Sequence, residues 1–355
     1  MTGRGLDQAL AHPADPRIHE PVVTDAREYI YLAEAANGPI QRPLDDDYIW
    51  GDGIELLKQR SPHARIINLE TAVTSGGEPW PGKGIHYRMH PNNIGCLAAA
   101  KIDCCVLANN HVLDWGYAGL DDTLETLEAA GIGYCGAGRD AEAAAGPAVL
   151  TVPGGRVLVF GVGHASSGIP DNWRAGQRRA GVCLLEDLSE AGIRTIARTV
   201  ESERRPGDRV VVSIHWGGNW GYGIAREQHR FARALIDTAG ADLVHGHSSH
   251  HPRPLEIHNG RLILYGCGDL INDYEGIGGH EAYRPELAAM YFPELAPDGR
   301  LSDLEIVVVR IRKFRLERAG PDDARWLAEK LSRKTPAGGA RLVLTQHHTL
   351  RPAGL

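Results

Sequence analysis

No C-x-x-C pair occurs among the six cysteines (Cys96, Cys104, Cys105, Cys135, Cys183 and Cys267). Cys104 and Cys105 adjoin within an apolar run. The thiols therefore read as reduced and buried, which favours a reducing compartment over an anchored protein with few bridges. No apolar run reaches the roughly 18 residues of a membrane span, and the start lacks the basic-then-apolar pattern of an export signal. As written, this is expected to be a soluble, cytoplasmic chain. Excess positive charge is also missing: a net charge of −7 leaves no basic field for nucleic acid or anionic lipid. Runs such as Asp45-Asp46-Asp47 and Glu203-Arg204-Arg205 read as solvated faces or helix-start acids. Gly161-Val-Gly163 with Gly168 departs from the dinucleotide-binding pattern and reads as turn glycine. The 43 glycines and 21 prolines follow no collagen-like period, so many loops joining short elements are expected.

What is present suffices for a full core. A chain of 355 residues, 43% hydrophobic and 23% charged, can form one large domain or two small ones. No linker demands a division, so a single domain over 1–355 is expected, with a core over about 1–311 and a helix and tail over 312–355. The densest chemical signal is Asp242-Leu-Val-His-Gly-His-Ser-Ser-His-His251, where four of 17 histidines fall within seven positions. Neutral imidazole is the commonest protein ligand for borderline metal ions, and histidines two or three positions apart can converge on one ion. A solvated His-rich loop is the other reading.

Apolar runs that end in polar residues alternate with helical patterns along the chain. Arg65-Ile-Ile-Asn-Leu-Glu70 predicts a strand whose end presents Glu70. Cys104 to Ala108 predicts a strand running into Asn109-Asn110-His111. Arg156 to Phe160 and Arg209 to Ile214 predict strands, the second ending at His215. A short strand precedes His245, and Arg261 to Tyr265 leads into Gly266-Cys-Gly-Asp269. Helices are expected over Asp47–Gln59, from Pro91 to about Lys101, around Leu120, Leu124 and Leu127, near Ser189–Ser202, from about Arg226 to Thr238, and over Pro321–Arg333. Leu287–Phe292 and Leu304–Ile311 predict a hairpin, and the tail after Thr345 is expected to be loose. Residues 72–91 predict a loop, either functional or a plain surface excursion.

This order predicts an α/β fold with polar residues gathered along the carboxyl edge of a sheet. Glu70, Asn110, His111, His215 and the His245 to His251 cluster would meet there. Together they offer a carboxylate, an amide and several imidazoles, and mixed ligands of that kind suit Mn, Fe or Zn better than Ca or Mg. Lys83 and Arg88 are candidates to hold an anionic substrate, with ordinary surface cations as the alternative. Cys267 has no persuasive partner as a nucleophile. Trp216 and Trp220 read equally as site walls or core.

Asn68-Leu-Glu70, Asn109-Asn-His-Val-Leu-Asp114-Trp-Gly, His215-Trp-Gly, Gly246-His-Ser-Ser-His250 and Leu-Tyr-Gly-Cys-Gly-Asp269 resemble, in order, the motifs of the CapA family of poly-γ-glutamate capsule proteins. That family in turn resembles the calcineurin-like metallophosphoesterases, and the match covers Met1 to about Arg310. The resemblance implies two mixed sheets packed face to face and flanked by helices, an α/β/β/α sandwich. It implies two divalent ions, with Glu70 and Asn110 near their centre, His215 and His247 on one ion and His250 on the other. His111 would be the proton donor and Asp114 its orienting partner. A shifted pairing that uses His245 or His251 stays open, with second-shell or loop roles favoured for those two.

The family's first strand ends in a Gly-Asp step just before a segment resembling Met1-Thr-Gly-Arg-Gly, and that aspartate is a ligand. Strand and aspartate are both missing here, and Asp7 lies too far on to replace it. A start codon placed inside a longer protein is the favoured expectation, which would also allow a membrane anchor and an outward location. Two functions follow: a metal-dependent hydrolase acting on a phosphate ester or a γ-linked glutamyl polymer, or a non-catalytic capsule-assembly subunit with an incomplete site.

Overall fold

The run Val210-Val-Val-Ser-Ile214 forms the middle of a strand buried on both sides, and the rest of the molecule is layered around its sheet. The computed structural model describes residues 1–335 and 339–355. In chain order, helices α1 (Glu28–Asn37) and α2 (Asp52–Arg60) precede β1 (Ile66–Asn68) and β2 (Cys104–Val106). Helix α3 (Gly116–Ala129) leads to β3 (Gly133–Cys135), β4 (Ala148–Val152), β5 (Gly155–His164) and β6 (Leu184–Leu185). Then come α4 (Glu190–Glu203), β7 (Arg209–His215), α5 (Arg226–Asp237), β8 (Leu243–His247), β9 (Leu255–His258) and β10 (Arg261–Leu264). The chain closes with β11 (Leu287–Leu295), β12 (Leu301–Arg312), β13 (Arg315–Arg318), α6 (Pro321–Lys334), β14 (Leu342–Leu344) and β15 (Leu350–Pro352).

Three principal sheets result. Strands β1, β2 and β3 make a parallel sheet in that order, with β1 at its edge. A seven-stranded mixed sheet runs β6-β5-β7-β8-β10-β9, with β4 added antiparallel to β5. A five-stranded antiparallel sheet runs β11-β12-β15-β14, with β13 on β12. The central sheet is covered on both faces, as a largely parallel sheet requires. Alternation along its strands assigns the faces. Val210, Val212 and Ile214 of β7 pack with Ile193, Ile196 and Val200 of α4 and Phe231 and Leu235 of α5. Val211 of β7 and Leu243 of β8 face the other way, into a core shared with the remaining two sheets and with Leu120, Leu124 and Leu127 of α3. That core reaches from Leu6 to Leu350. The layering is an α/β sandwich, as expected.

Several boundaries differ from expectation. The helix foreseen over Asp47–Gln59 breaks at Gly51, which has φ 41° and lies so close to the Leu316 carbonyl that no Cβ would fit. A 3-10 turn (Tyr48–Trp50) precedes it. From Pro91 there is a 3-10 turn and a short helix (Gly95–Ala99) in place of one continuous helix. The tail is not loose: Leu350 is fully buried, pairs with Ile306, and β15 pairs with β14. Four of the six free cysteines are buried. Among the described residues no helix is long and apolar enough to cross a membrane.

A cavity of about 850 Å³ lies between the edge strand β1 and the edge strand β11, lined by Ile66 to Glu70 on one side and Ala289 to Leu295 on the other. Met1, His245, His247 and Asp269 also line it.

Candidate metal centre

Five strand ends deliver the polar side chains, and strand register brings them into line. In the parallel pairs, His215 of β7 lies beside His247 of β8, and Asn68 of β1 beside Val106 of β2. Glu70 thus follows one strand tip, and Asn109, Asn110 and His111 follow the next. Period-two alternation turns Ser213, His215, His245 and His247 toward the interior between the sheets.

Asn110 Oδ1 lies 3.0 Å from His215 Nε2, although 105 residues separate them in sequence. Glu70 Oε1 lies 3.9 Å from the same nitrogen. On the other side of the ring, His215 Nδ1 is 2.7 Å from His247 Nδ1. Asn68 Nδ2 donates to Glu70 at 2.8 Å, and Asn109 Nδ2 donates to Asn68 Oδ1 and to the Leu69 carbonyl. His250, on the turn after β8, has Nδ1 3.0 Å from the Asp269 carboxylate and Nε2 3.4 Å from Tyr274 Oη. Asn272 Nδ2 also donates to Asp269.

The second group surrounds His111. Its Nδ1 lies 2.6 Å from Asp114 Oδ2, which also accepts from the Tyr87 backbone N–H. The Lys83 ammonium donates to Asp114 Oδ1 and to the Asn110 carbonyl. The Tyr87 ring meets the His111 ring edge-on, with centroids 4.6 Å apart.

Burial sets the charge states. It pushes Glu70 up to about 7, opposed by the positive field of His250. It pushes His111 down to about 4, against the pull of Asp114, and holds His215 and His247 well below their ordinary range. Those rings are neutral at pH 7, with a lone pair on one nitrogen each. His250 is the exception: burial, the largest influence, lowers it, but the Asp269 and Glu70 carboxylates together outweigh burial and its pKa is raised. Asp269 is correspondingly lowered despite its burial.

The expected residues separate into three sets. Glu70, Asn110, His215 and His247 are brought together, with His250 close enough for its charge to act on Glu70 and His215. His111 and Asp114 form the adjoining pair. Lys83 belongs to that pair, since its ammonium is taken up by Asp114 and a carbonyl and is not free for a substrate anion. Arg88 is elsewhere: its guanidinium stacks 3.7 Å from the Trp115 ring and donates to the Asp15 carbonyl. His251 pins a loop, with Nε2 accepting from Gly221 N–H. Asp7 spends both oxygens on Ala14, His90 and Asn93, away from the histidines. Burial pushes the Cys267 thiol up, leaving no thiolate.

Sequence reasoning placed Asp269 at the end of a motif but gave it no role, and missed Tyr87 and Tyr274. Asp269 was reachable, since it follows an apolar strand as Glu70 does. The tyrosines carry no such signal.

The donor set suits a borderline divalent ion: one carboxylate, one amide oxygen and neutral imidazoles. Glu70 is the observation that fits best: this carboxyl is 6% exposed, burial lifts its pKa to about 7 despite the field of His250, and a cation beside it would favour its ionised form. Among the described residues, however, no three His, Cys, Asp or Glu side chains form a ready ion cage. The imidazoles instead bond one another and Asn110.

Residues 1–274 match the family model of the bacterial capsule synthesis protein PGA_cap. A "probable polyglutamine synthesis accessory protein" of Mycobacterium tuberculosis is 46% identical over 346 residues, covering 97% of this chain and 91% of its own. The "capsule biosynthesis protein CapA" of Bacillus anthracis is 26% identical over 54% of this chain and 45% of its own. The "PGA biosynthesis protein CapA" of Bacillus subtilis is 28% identical over 54% and 48%.

Proposed function

This chain belongs to the bacterial capsule synthesis protein PGA_cap family, and from that premise we propose that it serves poly-glutamate synthesis or processing as a metal-dependent hydrolase. Its substrate class is a γ-linked glutamyl polymer or a phosphate ester. Glu70, Asn110, His215 and His250 would hold two divalent ions of Mn, Fe or Zn, with His247 joining them where its contacts to His215 and Ser213 open. Such ions, when bound, supply Lewis acidity at the attacked centre and lower the pKa of water.

The chain's own residues account for the rest. Asp114 accepts from His111 Nδ1–H, so Nε2 of the neutral ring is bare; it would take a proton from the attacking water and pass that proton to the leaving group. Lys83 fixes the Asp114 carboxylate, and the Tyr87 backbone N–H fixes its other oxygen. Asp114 favours the imidazolium once it forms, as a buried carboxylate does in a catalytic pair. The burial of His111, 7% exposed, keeps bulk water from its ring.

The observation that carries this reading is the meeting of Asn110, His215 and Glu70 from three separate strand ends. A second reading, a non-catalytic accessory subunit, is favoured by the lack of a three-ligand cage among the described residues. Metal analysis of the purified chain, joined to hydrolysis of poly-γ-glutamate and of a chromogenic phosphodiester, separates the two. Bound divalent ions with turnover that is lost in His111→Ala support the enzyme. Neither metal nor turnover leaves the accessory role.

A further inference from the structure

Ser213 is the one hydroxyl in an otherwise apolar strand interior, Val210-Val-Val-Ser-Ile214, and it is fully buried. A buried hydroxyl costs stability unless its bonds are made. Both partners of this one are imidazoles: its Oγ lies 2.9 Å from His245 Nδ1 and 3.0 Å from His247 Nε2. The parallel register places Ser213 beside His245 and His215 beside His247, so the four side chains form a patch on one face of the sheet. Contacts continue from His247 Nδ1 to His215 Nδ1 and from His215 Nε2 to Asn110 Oδ1.

We propose that Ser213 and His245 are positioning residues that fix which nitrogen of His247, and through it of His215, carries the proton. A neutral imidazole has one N–H and one bare nitrogen, and an amide oxygen only accepts. Asn110 Oδ1 therefore requires the proton of His215 on Nε2. His215 Nδ1 is then bare and accepts from His247 Nδ1–H. His247 Nε2 is bare in turn and accepts the Ser213 hydroxyl proton, whose oxygen accepts from His245 Nδ1–H. One directed chain of five groups satisfies every contact.

The same chain runs only one other way. If His215 Nε2 must be bare, its proton sits on Nδ1, His247 carries Nε2–H, and the Ser213 hydroxyl donates to His245 Nδ1. His245, which lines the large cavity, then keeps its proton on Nε2. A cation at His215 Nε2 needs this second direction, in which His247 has both nitrogens engaged and backs His215 without touching the ion, and Ser213 with His245 is the far end that accepts it. This half rests on the proposed ion-binding reading; the first half does not.

The test is imidazole nitrogen NMR on the full ¹⁵N-labelled chain, first treated with chelator and then titrated with Zn²⁺. Chelated wild type should show Nε2–H on His215 and Nδ1–H on His247 and His245, and Zn²⁺ should reverse His247 and His245. Ser213→Ala should uncouple His245 and weaken Zn²⁺ binding by about 10-fold, within the 10–100-fold range for residues behind metal ligands. Ser213→Thr should restore both, and His245→Phe offers a second break in the chain. Unchanged tautomers and unchanged Zn²⁺ affinity in Ser213→Ala and His245→Phe overturn the inference. Should wild type bind no Zn²⁺, the hydrolase reading fails, and the chelated spectra alone decide whether Ser213 sets the tautomers.

Discussion

His111 and Asp114 are joined at 2.6 Å through Nδ1, on a carboxylate whose other oxygen is held by Lys83. The geometry makes Lys83 a part of the proton-transfer pair. Asp114→Asn should lower turnover of a chromogenic phosphodiester by about 100-fold, the lower range for loss of a positioned acid or base. Lys83→Met should lower it less, with metal content unchanged in both.

Arg88 should behave differently from Lys83. Its guanidinium covers Trp115 at 3.7 Å, a contact worth about 0.5–2 kcal/mol when partly desolvated. Urea unfolding of Arg88→Met should show a loss of about 1 kcal/mol, while KM for any anionic substrate stays within twofold of wild type.

Asp7 is a structural carboxylate. One oxygen accepts from His90 N–H and Asn93 Nδ2, each at 2.7 Å, and the other accepts from Ala14 N–H at 2.7 Å. Asp7→Asn turns a donor toward these donors and should cost about 2 kcal/mol. Burial raises the Asp7 pKa above its ordinary 3.8, so the folded state holds a proton that the unfolded chain has released. Its contribution is full below about pH 3.8 and is lost as pH rises through the folded value. Denaturation at a series of pH values should show the gap between wild type and Asp7→Asn narrowing as pH rises.

Gly246 stands between His245 and His247, where a Cβ would lie 2.6 Å from the carbonyl oxygens of Leu264 and Tyr265. Neither backbone can give way without unpairing β8 from β10. Gly246→Ala should cost about 3 kcal/mol, at the upper end for overpacking, and should lower metal content together with the melting temperature.

The strand tips were legible because each follows a short apolar run, and the runs Cys104–Ala108 and Arg209–Ile214 are unambiguous. Chemistry at the end of such a run, as at Asn110 or His215, needs no knowledge of the partner strand. What depends on distant contacts was hidden. Leu350 is buried where β15 pairs with β12 and β14, contacts that no local pattern announces, so its tail looked loose. The resemblance suggested Asp114 as the partner of His111, but nothing local to residue 83 shows that Lys83 reaches the same carboxylate. Helix α1 escaped notice between proline-rich flanks, its buried side being only Tyr29, Ile30 and Ala33.

The hollow between β1 and β11 also bears on how this molecule meets its neighbours. Exposed strand borders ordinarily invite sheet-to-sheet sticking between molecules. Here two such borders line one recess of about 850 Å³, so the backbone groups left unpaired at both lie along the same hollow.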